Sequence, residues 1–149
     1  AFKKRSVESF KIKNMNYQIK ASSISNQDAV IQIKESNIDF GTTEKTAETL
    51  PNPAEIFLGS LSACMLKNVE RFSTMMKFTY SKATIEVQAT RLEKPPRMDN
   101  VIYNLTIYSN DKKLKIALLK KNLEQFGTIY NTVKKSCTIS GTINTVADV

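Results

Sequence analysis

Cys64 and Cys137 are the two residues of this 149-residue chain best suited by type to covalent chemistry. A thiolate is a nucleophile, and two thiols brought together cycle between dithiol and disulfide. The chain has no histidine, so the commonest general base and the commonest transition-metal ligand are both missing. That excludes a Ser-His-Asp or Cys-His hydrolase. Two cysteines also fall short of the four ligands a structural zinc site needs. No metal or cofactor is implied. A reactive thiol needs a nearby cation, and Arg71, Arg91 and Arg97 are the arginines to consider. The plain alternative is that Cys64 is a small buried hydrophobe and that the arginines form surface salt bridges.

The element that must position Cys64 runs from Asn52 to Phe78, NPAEIFLGSLSACMLKNVERFSTMMKF. Asn52 suits a helix cap, Pro53 the first helical position, and Glu55 the third, a pattern that resembles a capping box. Ile56, Phe57, Leu58, Leu61, Ala63, Cys64, Met65 and Leu66 then cover most of the circumference. A helix apolar on every side must be covered on every side. Gly59, Ser60, Ser62 and Ala63 are small enough to let another backbone approach. Beyond them Val69, Phe72, Met75 and Met76 narrow to one stripe, so the rear of the helix is amphipathic. Arg71, seven residues after Cys64, falls on the same face.

Around this helix the pattern predicts strands over Ser9 to Ala21, Ala29 to Lys34 and Ile38 to Phe40, an antiparallel meander. Thr42 to Leu50 reads as a loop. Thr79 to Glu93 alternates cleanly and is stopped by Lys94, Pro95 and Pro96; Arg97 to Asn100 reads as a turn, and Asn100 to Ser109 as the returning strand. Asn110 and Asp111 are placed to cap a second helix, which Gly127 breaks in two. Cys137 to Asn144 closes the chain as a strand. The order β-β-β-α-β-β-α-β predicts an α+β fold with a mainly antiparallel sheet in one domain over residues 1–149. A chain of this length has little material to cover such a helix, so a dimer burying it is expected.

Hydrophobic content of 41% and charged content of 24% describe a globular chain, with no apolar run of membrane-spanning length. No membrane partner is expected. The opening AFKKRSVESF lacks the apolar stretch of a signal peptide, so the cytoplasm is the expected compartment, with the cysteines as free thiols or a redox couple. The net charge of +8 raises the question of nucleic acid. Its lysines are scattered beside apolar residues at strand or helix spacing, without zinc-finger spacing or an RNP-type aromatic motif. They read as a solvated surface, and nucleic acid is not an expected partner.

Asn-Pro-x-Glu, a run of small and apolar residues, Ala-Cys and an amphipathic tail together resemble the central helix of the OsmC/Ohr family. These are the osmotically inducible and organic hydroperoxide resistance proteins. Arg91-Leu-Glu-Lys-Pro-Pro-Arg97 and the strand after it are similar to a less characterised branch of that family. The resemblance spans the chain from about residue 10 and implies an intertwined homodimer, its sheet wrapped around two central helices. It also implies thiol-dependent reduction of organic hydroperoxides: a thiolate becomes a sulfenic acid, a second cysteine condenses with it, and a dithiol reduces the disulfide.

By this resemblance Cys64 matches the peroxide-attacking cysteine. Peroxidases of the family carry glutamate directly after the proline, where this chain has Ala54; Glu55 matches the next position and also suits the helix cap. Arg97 substitutes for the arginine that the family places near the end of an early strand. Cys137-Thr-Ile-Ser140 looks locally like the motif of the second cysteine, whereas alignment of the last helix and strand puts Ile129 there instead. The second alignment is preferred, since burial pattern constrains register more than four residues do. Cys137 then resolves Cys64 only if their Cα atoms come within about 7 Å. The departures leave a second reading open: a non-catalytic dimer holding a small apolar ligand in its interface cleft.

Overall fold

A computed structural model describes residues 14–148. The described chain divides into two compact units, one ending at Leu50 and the other beginning at Pro51.

The first unit is a three-stranded antiparallel meander of β1 (Lys20–Ser23), β2 (Ala29–Ile33) and β3 (Ser36–Phe40). The strand expected over residues 9–21 lies partly outside the described residues, and within them it begins only at Lys20. The reason is its partner: Lys20 already pairs with Gln32, and Ile33 ends β2. The segment after β3 carries a short 3-10 turn, Glu44–Thr46, where a plain loop was expected. Asp28 ties this turn to the meander. Its carboxylate accepts from the Thr42 backbone N–H at 3.1 Å and from the Thr46 hydroxyl at 2.6 Å. The Thr46 bond, then that of Thr42, holds its pKa below the usual carboxylate value.

The second unit packs three helices on a mixed sheet of order β4-β5-β6. Helix α1 (Pro53–Met76) starts as expected: the Asn52 side chain accepts from the Glu55 N–H at 2.9 Å, and the Glu55 carboxylate accepts from the Asn52 N–H at 3.1 Å. Leu61, Met65, Val69 and Phe72 recur at helical spacing and are buried. They join the alternate residues Val101, Tyr103, Leu105 and Ile107 of β5 (Pro96–Tyr108), together with Leu119, Leu123, Tyr130, Val133 and Ile143, in one core. Strand β4 (Lys82–Glu93) pairs antiparallel with β5. Strand β6 (Ile139–Val146) pairs with β5 in parallel, so the sheet is mixed.

Several boundaries differ from expectation: β4 begins at Lys82 rather than Thr79, β6 spans Ile139–Val146 rather than Cys137 to Asn144, and two others change what a residue does. Arg97 lies inside β5, opposite Leu92, and the hairpin turns at Lys94 and Pro95. Pro96 faces Glu93 as the first residue of its strand, where a missing N–H is tolerated. Asp111 caps a turn and not a helix: its carboxylate accepts from the Lys113 N–H at 2.9 Å and is shared with the Thr79 N–H at 2.8 Å. Helix α2 therefore begins later, spans Ile116–Phe126, and has no side-chain cap. Gly127 separates it from α3 (Thr128–Lys134), as its breaking role predicted.

Among the described residues, the front of α1 is not wholly covered. Phe57 is 36% exposed, Ala63 is exposed, and a Cβ at Gly59 would meet nothing within 4 Å.

Candidate functional site

Cys64 and Asn68 are half-buried one turn apart on α1, beside the buried stripe of Leu61, Met65 and Val69. Cys64 Sγ faces the junction of α2 and α3. A Cβ built on Gly127 would lie 3.4 Å from that sulfur, 2.9 Å from the Leu123 carbonyl and 3.0 Å from Tyr130 Cβ. Gly127 has ordinary φ of −74°, so its lack of a side chain serves this close approach rather than a left-handed turn. The Asn68 amide donates to the Cys64 carbonyl at 2.9 Å, and its nitrogen also stands 3.6 Å from Cys64 Sγ.

Below the junction, the phenol of Tyr103 donates to Glu124 at 2.7 Å, and Lys120 pairs with the same carboxylate oxygen at 3.1 Å. Tyr130 meets Tyr103 edge-on, ring centroids 6.5 Å apart. Burial first, and then Glu124, raise both phenols, Tyr130 to about 12.

Cys137 sits elsewhere. It follows α3, its thiol donates to the Met98 carbonyl at 3.2 Å, and Ser136 Oγ is 3.8 Å from its sulfur. The next residue, Thr138, donates through its backbone N–H to Asp99 at 2.8 Å. That bond, followed by the Asn100 N–H, takes Asp99 down to about 2. Both cysteines are free. Cys64 lies beside Gly127 at the head of α3 and Cys137 beyond its tail. Seven helical residues, roughly 10 Å of rise, run between them.

The remaining expected site residues have other partners. Glu55 closes the capping box. Arg97 pairs with Asp99 at 3.3 Å and Arg91 with Glu93 at 3.1 Å. Arg71 places its guanidinium 5.5 Å from the Phe72 ring centroid, and it stands two turns, about 10 Å, along α1 from Cys64. Ile129 packs against the core. The neighbours of the Cys64 thiol, Asn68 and Gly127, were not singled out from sequence as its neighbours. Asn68 left a signal: a polar amide four residues after a thiol, on the same helical face. Gly127 showed only as a helix breaker.

Among the described residues no helix is long and apolar enough to cross a membrane. The model of one protein family, OsmC-like protein, matches residues 45–144. No curated protein matches the sequence. Solved structures share the fold. An OsmC-like protein from Mycoplasma pneumoniae is 16% identical with a TM-score of 0.80, over 90% of this chain and 99% of that one. An organic hydroperoxide resistance protein from Elizabethkingia anophelis, solved with crystallant-derived thiocyanate bound, is 14% identical with a TM-score of 0.67, over 90% and 100%. The organic hydroperoxide resistance protein OhrB of Bacillus subtilis is 12% identical with a TM-score of 0.57, over 85% and 98%.

Proposed function

The chain belongs to the OsmC-like protein family, and from that membership we propose that it is a thiol-dependent redox protein that reduces organic hydroperoxides through Cys64. The observation that carries the reading is a free, half-buried thiol in the middle of α1, inside the family-matched segment. The Cys64 thiolate attacks the terminal oxygen of R–O–OH. The O–O bond breaks, the alcohol R–OH leaves after taking a proton, and Cys64 becomes a sulfenic acid. The hydroperoxide is reduced by two electrons and the sulfur oxidised by two. A dithiol then condenses with the sulfenic acid, releasing water, and its second thiol displaces Cys64 as the dithiol closes to a disulfide.

In this scheme an external dithiol does the work of a resolving cysteine. Cys137 has its own partner in Met98 and lies beyond α3 from Cys64, so resolution within one chain finds no support in the geometry. Glu55 contributes by fixing the start of α1. Arg97 would have to leave Asp99 before it could serve a thiolate. The protein acts as a homodimer, in the cytoplasm, with the open front of α1 as the interface.

The test is consumption of tert-butyl hydroperoxide with dithiothreitol as reductant. Cys64→Ser is expected to lower turnover to the rate of dithiothreitol alone; unchanged turnover in that variant would sink the reading. One observation favours a second reading, a non-catalytic dimer binding a small apolar ligand: Arg71, Arg91 and Arg97 are all engaged away from Cys64. Native mass spectrometry showing a co-purified apolar molecule, with no Cys64-dependent turnover, is its signature.

A further inference from the structure

We infer that Asn68 is the group that holds the negative charge of Cys64, in the place of an arginine. The inference rests on the peroxide-reducing reading of Cys64 and names the residue that serves the thiolate there.

Residues four apart on a helix stack one turn above the other, which brings the Asn68 side chain over Cys64. The amide's orientation follows from its partners. The Cys64 carbonyl is an acceptor only, so the group at 2.9 Å from it is the Asn68 NH2. One of its two N–H bonds is used there. The nitrogen is 3.6 Å from Cys64 Sγ, within reach of the second N–H. A neutral thiol is a weak acceptor, whereas a thiolate is a strong one, so this contact strengthens when Cys64 loses its proton.

The carbonyl bond matters as much as the sulfur bond. It fixes the amide before the charge appears, so little reorganisation is needed when the thiolate forms. Gly127 also approaches the sulfur, since a Cβ built on it would lie 3.4 Å from Cys64 Sγ. No arginine takes this role from α1 itself, since Arg71 is about 10 Å further along and rests on Phe72.

The experiment is the pH profile of Cys64 alkylation by iodoacetamide, followed on the Cys64 peptide by mass spectrometry so that Cys137 does not contribute. Wild type is compared with Asn68→Ala and Asn68→Asp. Asn68→Ala removes the donor; Asn68→Asp also sets a like charge beside the thiolate. The expected midpoints rise in the order wild type, Asn68→Ala, Asn68→Asp. The alkylation rate at neutral pH falls roughly three- to tenfold in Asn68→Ala, as for loss of one ordinary hydrogen bond. The plateau rate at high pH is expected to hold, which separates a charge effect from a change in access. Coincident midpoints for wild type and Asn68→Ala would overturn the inference, as would a change confined to the plateau. Hydroperoxide turnover by wild type and Cys64→Ser is measured alongside. Turnover that depends on Cys64 with coincident midpoints defeats the role of Asn68 alone. Turnover that ignores Cys64 defeats the redox reading, whatever the midpoints do.

Discussion

Gly141 of β6 faces Tyr103 of β5, and a Cβ there would lie 2.3 Å from the ring. The contact is with a fully buried aromatic that also donates to Glu124, so the ring has nowhere to move. Gly141→Ala is therefore expected to destabilise the protein by about 2 kcal/mol or more, seen as a lower urea midpoint with unchanged slope. The same tyrosine pair sets a response to alkali. Tyr130 is raised to about 12 and Tyr103 is raised further by burial. Unfolded tyrosines release their protons near pH 10, while the folded ones keep theirs. The unfolded state then binds fewer protons, so stability falls as pH rises from about 10 towards 12. Thermal melts across that window check the sign, and a melting temperature that stays level would contradict it. None of this could be read along the chain, because Tyr103, Glu124 and Gly141 are brought together only by packing.

Helix α1 shows what local chemistry can specify. Its start was legible because Asn52, Pro53 and Glu55 act on backbone groups within one turn. Asn52→Ala is expected to cost about 1 kcal/mol, measured as a fall in melting temperature. The later elements were less legible because their ends are set by distant partners. Asp111 could have capped a helix but is held by Thr79, 32 residues earlier. Pro96 looked like a stop but begins a strand, because Glu93 lies opposite it. Strand β1 was expected to be long, yet within the described residues it begins only at Lys20, opposite Gln32 near the end of β2.

The whole molecule turns on what covers the front of α1. Phe57 and Ala63 are exposed there, and Gly59 and Ser60 add a flat, small-residue face. A second copy of the chain is the proposed cover, and sedimentation equilibrium is expected to report a dimer. Phe57→Glu is expected to shift it to monomer and leave the far-ultraviolet circular dichroism unchanged. A monomeric wild-type protein would remove the dimer from the proposal.

By itself the sequence determined the α+β layout, the capped central helix with Cys64 within it, and the absence of any histidine-based chemistry. These follow from residue types and from periods of two and about 3.6, which act between near neighbours. The surroundings of that thiol were decided by the tertiary structure. Gly127 reaches Cys64 Sγ from 63 residues away only because α2 and α3 fold back over α1. Cys137 is drawn instead to Met98, because β6 enters the sheet beside β5 in parallel. The local likeness of Cys137-Thr-Ile-Ser140 to a second-cysteine motif carried no information on its separation from Cys64, which depends on where a whole helix is laid down.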